Sequence, residues 1–261
     1  MRTVSRDGVT LAYKDSNTRF SSMLLVHGWG CDHTMLSAQR EYFASSYRVV
    51  SVDLRGHGES GAPEHMYSMA SFADDLAWLC RHIELPRPVI VGHGMGGAVA
   101  LELASRYPDL SSAVVMLQTI LFPPQAWLNS NALSTQEALA IDDHVRTLRS
   151  IVATGFITSD DQTKQAELTL YLPRASRHVL LSSFIHSVSD YDAVPAARGC
   201  QVPIAYIGGT NSITDIFHFK TLTPQLVVGH MIGAGDFAPM FTPHQVNAMI
   251  VCFLKEYVER E

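Results

Sequence analysis

The sequence has little charge and no long apolar run. Charged residues make up 17% of its 261 residues, and Asp and Glu outnumber Lys and Arg by 25 to 19. Because no Lys/Arg cluster supplies the basic surface that nucleic-acid binding needs, no nucleic-acid partner is expected. The longest apolar runs, such as Ala113–Leu117, are far too short to span a bilayer, so no membrane partner is expected either.

Signals for export, metal binding and cofactor binding are also missing. The first seven residues lack the apolar stretch of a secretory signal, which predicts a cytoplasmic protein. The four cysteines, at positions 31, 80, 200 and 252, show neither CxxC nor zinc-ligand spacing, and we expect buried free thiols. No His/Cys/Asp cluster has metal spacing and no phosphate-binding loop is present, so we predict no metal and no cofactor.

Short apolar segments alternate with amphipathic ones along the chain. An Asp-Gly pair at positions 7 and 8 predicts a hairpin, and the apolar runs at Met23–Val26 and Ala113–Leu117 predict buried parallel strands. The segment Tyr67–His82 has the apolar spacing of an amphipathic helix, with residues 74 and 75, both Asp, predicted on its solvated face. This alternation predicts a doubly wound α/β fold with a mostly parallel sheet.

The most informative stretch is Gly-His-Gly-Met-Gly-Gly at positions 92–97, which follows an apolar strand pattern and precedes a helix predicted from Ala98 to Tyr107. A sharp strand-to-helix turn with the pattern G-x-S-x-G places a nucleophilic serine at its centre. Here that central position is Gly94, which has no side chain. The turn is therefore predicted without its nucleophile.

Four motifs in series resemble the α/β-hydrolase fold superfamily, in its cap-bearing serine-hydrolase branch. They are HGWG at 27–30, DLRGHGES at 53–60, GHGMGG at 92–97 and GAGDF at 233–237. The resemblance implies an eight-stranded, mostly parallel sheet with a core at 1–121 and 199–261 and a helical cap at 122–198, inserted after the sixth strand. It also implies that Asp53, Arg55 and His57 brace a loop rather than catalyse.

Hydrolysis in that superfamily uses serine, acid and histidine, in this order along the chain. The serine position is Gly94, and the histidine position in the last motif is Asp236. After the sixth strand the chain has Gln118 and Thr119, and after the seventh it has residues 209–212, none of which is a carboxylate. An acyl-enzyme route is therefore not expected.

A pocket is expected to remain above Gly94. The resemblance assigns a remnant oxyanion hole to the loop of His27, Gly28 and Trp29 and to the backbone N–H of Met95. It also implies that two further residues, His93 and Gln118, lie beside this hole. In an apolar cavity, the carboxyl group of Asp236 would have a raised pKa and act as acid or base. The alternative is that Asp236 only accepts hydrogen bonds within its own turn.

Three functions remain open from the sequence. The first is an enzyme that binds a small, mostly apolar carbonyl compound and carries out isomerisation, cyclisation, decarboxylation or C–C lysis, with Asp236 as acid or base. The second is a ligand-binding pseudoenzyme. The third is an inactivated or engineered ester or lactone hydrolase whose serine position is Gly94. The expected partner is a small molecule, and the expected state is a monomer or homodimer.

Overall fold

A computed structural model describes residues 1–18, 20–141, 143–172 and 175–259. Within these ranges, eight strands form a single sheet in the order β1-β2-β4-β3-β5-β6-β7-β8. The strands are β1 (Arg2–Arg6), β2 (Val9–Asp15), β3 (Ser22–Val26), β4 (Arg48–Val52), β5 (Val89–His93), β6 (Ala113–Leu117), β7 (Ile204–Gly208) and β8 (Leu226–His230). Every neighbouring pair from β4 across to β8 is parallel, which confirms the predicted mostly parallel α/β sheet.

The antiparallel edge of the sheet is the predicted hairpin. Its two-residue turn is made by Asp7 and Gly8, whose φ angles are +49° and +80°. Positive φ at both central residues is the backbone twist that a tight hairpin turn requires. The register pairs Arg6 with Val9 across this turn.

Helices cover both faces of the sheet and also fill the segment between β6 and β7. They are α1 (Ser37–Phe43), α2 (Met69–His82), α3 (Met95–Arg106), α4 (Gln125–Trp127), α5 (Leu133–Ile141), α6 (His144–Thr154), α7 (Gln162–Tyr171), α8 (Arg177–Phe184), α9 (Val194–Gly199), α10 (Ile216–Leu222), α11 (Ala238–Phe241) and α12 (Pro243–Tyr257). On β5, Val89 and Val91 pack into the core shared with α1 and α12, whereas Ile90 packs into the core shared with α2 and α3. This burial on both faces explains the continuous apolar runs of the central strands.

The order of the strands places a crevice at the end of β3. From β3 the chain continues to β4 on one side and then returns to β5 on the other side. In open α/β sheets, ligands bind outside the carboxyl ends of the strands at such a switch point. The loops after β3 and β5 therefore meet at the edge of the sheet where a site is expected.

The segment between β6 and β7 contains helices and no strand among its described residues, in agreement with its helical pattern. Two π-helical pieces, Leu128–Ala132 and Ile185–Ser189, interrupt it, and residues 142, 173 and 174 lie outside the described part. The boundary predicted after residue 198 falls inside α9. This helix packs on α3, and Thr223 donates a hydrogen bond of 2.8 Å to the carbonyl of Ala197. The helix α9 also packs on α10.

Three local predictions differ from the structure. The helix α3 begins at Met95 rather than at Ala98, because the turn is complete at Gly94. Asp75 does not lie on the solvated face of α2: it is buried and accepts two hydrogen bonds of 2.5 Å from the guanidinium group of Arg55. Cys252 is exposed, whereas the other three cysteines are buried as predicted.

No helix among the described residues is long and apolar enough to cross a membrane.

Candidate functional site

The turn between β5 and α3 depends on glycines that allow backbone segments to touch. A Cβ on Gly92 would overlap the carbonyl of Gly96, and a Cβ on Gly96 would overlap the carbonyl oxygens of Val26 and His27. The first turn of α3 therefore lies directly against the ends of β3 and β5. The spacing of these two glycines in the sequence correctly indicated this close approach.

Gly94 has a backbone conformation that other residues rarely adopt. Its φ is +53° and its ψ is −121°, and its N–H donates a hydrogen bond of 2.9 Å to the carbonyl of Leu117. A Cβ built on Gly94 would have a single close neighbour, the Cα of Gly28, at an ordinary contact distance of 3.7 Å. The turn thus has the shape and the space for a side chain at its centre, and the chain supplies none.

Two backbone amides from different loops belong to residues that line the cavity around this space. Met95 is the first residue of α3, so its N–H has no partner within the helix. Trp29 follows β3, and among the described residues neither its N–H nor that of Met95 donates a hydrogen bond to another group. The pair can therefore donate to an oxygen atom of a ligand.

The side chain of His27 lies elsewhere than predicted. It is buried outside the cavity lining, where its Nε2 accepts a hydrogen bond of 3.0 Å from the N–H of Leu54 and its Nδ1 donates to the carbonyl of Gly28. Burial lowers its pKa, so the ring is neutral. His27 fixes the loop that carries Trp29 and does not itself contact the cavity.

Asp236 lies in the loop between β8 and α11, and its main chain is fixed from two sides. Its N–H donates to the carbonyl of Gly155 at 2.9 Å, and its own carbonyl accepts from Nε2 of His93 at 2.7 Å. Among the described residues, no group donates a hydrogen bond to its carboxyl, which lines the cavity. Burial, together with the negative charge of Asp160, raises the pKa of this carboxyl to about 7.

His93 and Gln118 hold the loop of Asp236 in place. Because Nε2 of His93 carries the proton that it donates, Nδ1 is unprotonated, and burial lowers the pKa of the ring to about 4. Gln118 donates from Nε2 to the carbonyl of Gly235 at 2.9 Å and accepts from the N–H of Gly209 at 2.5 Å. Both residues line the cavity, and the hydrogen bonds described here join Nε2 of His93 and the side-chain amide of Gln118 to the backbone.

These groups surround a cavity of about 570 Å³ between the strand ends and the helical segment. Its apolar walls include aromatic side chains from both parts, namely Trp29, Trp127, Phe184 and Phe237. Among the described lining residues there is no Lys or Arg, and Asp236 is the single carboxylic acid. A volume of this size is typical of a small-molecule site.

The loop after β7 is one of the two places where the superfamily's catalytic acid is expected. Its residues line this cavity but include no carboxylate. Asn211 and Ser212 line the cavity there, and Nδ2 of Asn211 donates to the carbonyl of Gly155 at 3.3 Å. Asp215 is outside it: it is exposed and caps α10 by accepting from the N–H of His218 at 2.8 Å. The sequence could not show that Asn211 faces the cavity, because strand ends and loops have no periodicity that reveals facing.

The loop after β4 is a structural brace, as predicted. Asp53 accepts from the N–H of His33 at 2.7 Å, from its Nδ1 at 2.8 Å and from the N–H of Glu59 at 2.9 Å. Asp32 lies beside them, and Asp32, His33 and Asp53 together have the spacing of a possible metal site. However, Asp32 already accepts from Tyr171 and Thr34, so the carboxylate oxygens of this group are occupied by protein donors.

Comparison with known proteins agrees with this architecture. The sequence profile described as alpha/beta hydrolase fold matches residues 22–199. The chain belongs to the α/β-hydrolase fold family.

Relatives of this family member include hydrolases that match almost its full length. The 2-(acetamidomethylene)succinate hydrolase of Mesorhizobium japonicum is 32% identical over 247 residues, which cover 89% of this chain and 87% of that protein. An uncharacterized protein of Mycobacterium tuberculosis is 33% identical over 96 residues, and this match spans only 28% of its length.

Solved structures show the same fold. The esterase of Thermogutta terrifontis has a TM-score of 0.84 and 25% identity, with 97% of this chain and 96% of that one covered. The enol-lactonase of Burkholderia xenovorans LB400 has a TM-score of 0.85 and 21% identity, with 98% and 100% covered. These comparisons therefore show the fold and a set of hydrolase relatives.

Proposed function

We propose that this chain is an enzyme that binds a small, uncharged and mostly apolar carbonyl compound and moves a proton with Asp236, without an acyl-enzyme. The observation that carries the proposal is a carboxyl group with a pKa of about 7 in the same cavity as two unpartnered backbone amides. A general acid or base works best when its pKa lies near the operating pH.

The missing side chain at Gly94 argues against hydrolysis through a covalent intermediate. Removing the nucleophile of a serine hydrolase leaves only about 10³–10⁴-fold acceleration over water, which comes from the oxyanion hole and binding. Asp236 cannot restore that route, because it has no serine to deprotonate. Chemistry that needs a polarised carbonyl and a mobile proton is compatible with the groups that are present.

In the proposed reaction, the N–H groups of Trp29 and Met95 donate to the carbonyl oxygen of the substrate. The carboxylate of Asp236 removes a proton from the carbon next to that carbonyl, and the negative charge moves to the oxygen between the two amides. The same carboxyl group then returns the proton to another atom of the substrate. Isomerisation and cyclisation follow this sequence directly. In C–C lysis, the carboxylate instead removes the proton of a hydroxyl group on the β-carbon, the C–C bond breaks to leave the same enolate, and the carboxyl group then protonates that enolate. Decarboxylation begins with a carboxylate substrate and is therefore disfavoured by an uncharged ligand.

The proposed substrate differs in charge from that of the hydrolase of Mesorhizobium japonicum, whose name includes a succinate. A succinate carries carboxylates, and a buried carboxylate needs a cation or several donors. The described lining of this cavity contains no Lys or Arg and does contain Asp236. These features favour an uncharged compound.

A weak or inactivated ester or lactone hydrolase is the second candidate, because its relatives are hydrolases and the turn at Gly94 has space for a side chain. The double substitution Gly94→Ser with Asp236→His tests it. Revived cleavage of a phenyl ester or a simple lactone would favour this candidate, whereas a folded, inactive double variant would count against it.

The main proposal is tested by a search for ligands followed by a test of turnover. Native mass spectrometry and thermal shift against uncharged carbonyl metabolites identify a ligand, and liquid chromatography with mass spectrometry then follows its conversion. We expect Asp236→Asn to bind this ligand and to lose turnover. The matched control is Asp215→Asn, because Asp215 is an exposed helix cap outside the cavity and Asn caps helices equally well.

Two outcomes would contradict the proposal. If the ligand binds tightly and is never converted, the chain is a binding protein and the pseudoenzyme hypothesis holds. If Asp236→Asn converts the ligand as fast as the unsubstituted protein, Asp236 does not carry the proton.

A further inference from the structure

We propose that Trp29 is a positioning residue: its indole ring, held by helix α8, fixes the place of the Trp29 main-chain N–H that binds the substrate carbonyl. This inference rests on the proposed function, because it assumes that the N–H groups of Trp29 and Met95 bind the carbonyl oxygen. It adds a second role for the helices between β6 and β7, which then both enclose the ligand and keep one donor of the site in place.

The peptide group that contains the Trp29 N–H is held at its Gly28 end. The C=O of Gly28 accepts from Nδ1 of His27 at 2.8 Å and from the N–H of Cys31 at 3.2 Å. On the other side of the Trp29 Cα, the described hydrogen bond to its own C=O comes from Sγ of Cys31 at 3.5 Å, and a thiol is a weak donor. Main-chain hydrogen bonds therefore leave Trp29 less constrained than Gly28.

The side chain of Trp29 supplies a stronger contact, and it reaches the helical segment between β6 and β7. Its Nε1 donates a hydrogen bond of 3.0 Å to the carbonyl of Leu180 on α8. The indole ring also packs on Phe184 at the end of the same helix, with 5.4 Å between the ring centroids. An indole that is held both at its N–H and at its ring has fixed side-chain torsions, and these fix the Cα of Trp29 relative to α8.

The same loop touches two more helices of that segment. At Gly30, a Cβ would lie 3.3 Å from Cδ1 of Leu148 on α6 and 3.5 Å from Cδ2 of Leu180 on α8. At Asp32, the carboxylate accepts a hydrogen bond of 2.7 Å from the hydroxyl of Tyr171 on α7. The loop after β3 thus contacts α6, α7 and α8, and Trp29 lies at the start of this contact.

Met95 is fixed in a different way, by the turn after β5. It is the first residue of α3, and the N–H of Gly97 donates to the C=O of Gly94 at 3.0 Å across this turn. A displacement of α8 would therefore move the Trp29 donor and leave the Met95 donor where it is. Because donors must lie about 2.7–3.1 Å from the developing oxyanion, a small displacement of one of them weakens the pair. The polarisation of the carbonyl thus depends on the indole contact.

The test measures the polarisation of a bound carbonyl directly. The probe is acetophenone, a small uncharged ketone, with and without a carbon-13 label at its carbonyl carbon, so that infrared difference spectra isolate its C=O stretch in the complex. Hydrogen bonds from two N–H groups should lower this frequency relative to acetophenone in hexane. We expect Trp29→Phe to lose about half of this lowering, because one of two donors is displaced, while Kd rises less than about tenfold.

A second variant and a matched control separate the indole N–H from the ring. Incorporation of 3-benzothienylalanine at position 29 replaces the indole N–H by sulfur and keeps the size and shape of the ring, so this variant should fold and lose the same part of the frequency lowering. The control is Trp78→Phe, because Trp78 stacks on His82 within α2 and does not line the cavity. Hydrogen exchange of residues 27–32 should be faster in both position-29 variants and unchanged in the control.

A purely structural role for Trp29 predicts different results. If the indole only holds α8 on the sheet, its loss should lower stability and affinity while the C=O frequency of the bound probe stays the same. With a ligand that the protein converts, we expect Trp29→Phe to lower kcat by about 10- to 100-fold and to change KM less.

Three results would overturn this inference alone: the full frequency lowering in both position-29 variants, an equal loss of it in Trp78→Phe, or unchanged exchange of residues 27–32 in both position-29 variants. Failure of the proposed function looks different. A C=O frequency equal to that in hexane, or no binding of acetophenone at about 5 mM, would contradict carbonyl binding by the two amides and remove both proposals. A lowered frequency that depends on Trp29, without conversion of any ligand, would remove the catalytic role of Asp236 and leave this inference standing.

Discussion

Introducing a side chain at Gly94 should strain the backbone without meeting a steric clash. Gly94→Ser and Gly94→Ala both require a non-glycine residue at φ +53° and ψ −121°. Such conformations cost about 1–3 kcal/mol. The added Cβ contacts only the Cα of Gly28 at 3.7 Å, so no packing penalty adds to this strain.

A comparison with Gly92 isolates the strain. Gly92 lacks a positive φ, but a Cβ there would overlap the backbone of Gly96 and Gly97, which cannot move without displacing α3. We therefore expect Gly92→Ala to lower the free energy of unfolding by more than about 3 kcal/mol, at or beyond the usual range for overpacking. Gly94→Ala should lower it by about 1–3 kcal/mol, or roughly 2–4 °C in Tm per kcal/mol.

Urea unfolding followed by far-ultraviolet circular dichroism measures both losses on the same scale. The reasoning fails if Gly94→Ala is as destabilising as Gly92→Ala, because the space above the turn would then not exist. It also fails if Gly94→Ala stabilises the protein, because the turn would then relax into an ordinary conformation. Gly94→Ser should match Gly94→Ala within about 0.5 kcal/mol, the scatter of ordinary surface changes.

Three further predictions concern carboxylates and thiols. Asp75→Ala should lower the free energy of unfolding by about 3 kcal/mol, the low end of the range for a buried pair, because it removes both carboxylate partners of the half-buried guanidinium of Arg55. Asp74→Ala, in an ion pair that is more than one-third exposed, should lower it by less than about 1 kcal/mol. Equal losses in urea unfolding would contradict this. The pKa of Asp236 is about 7 in the folded protein against 3.8 ordinarily, so the native state binds the proton more tightly and loses stability as the pH rises between these values. Asp236→Asn should therefore raise Tm at pH 8 and change it little at pH 4, and an equal change at both would refute the buried carboxyl. Cys252 should be the first thiol to react with Ellman's reagent in the native state, with four reacting after denaturation; fast reaction of several native thiols would show that the burial is wrong.

The turn could be predicted from sequence because its requirements are local and steric. Gly92 and Gly96 are needed where backbone segments touch, and the strand before them is apolar on both faces. The predicted start of α3 at Ala98 is three residues late. Glycine has low helix propensity, but in the structure the close approach to Val26 and Thr119 requires Gly96 and Gly97 inside the helix.

Features that depend on remote partners could not be predicted in this way. Asp75 lies next to Asp74 on a helix with a clear apolar pattern, and its burial depends on Arg55, which comes from a different loop. Similarly, the sequence shows only that Asn211 is not a carboxylate at a position where the catalytic acid is expected. Its place in the cavity wall depends on the hydrogen bond that it donates to the carbonyl of Gly155, more than fifty positions away in the sequence. Sequence periodicity cannot predict a contact between such distant residues.

The two unusual residues of the site shift stability in opposite directions. A nucleophile at position 94 would strain the turn, and glycine keeps the same backbone without that strain. Asp236 has the reverse effect, because a carboxyl group without a hydrogen-bond donor is unfavourable in an apolar cavity above its pKa. A neutral side chain of the same size would avoid this cost, and the proposed proton transfer would give the carboxyl group a use that Asn at this position could not replace.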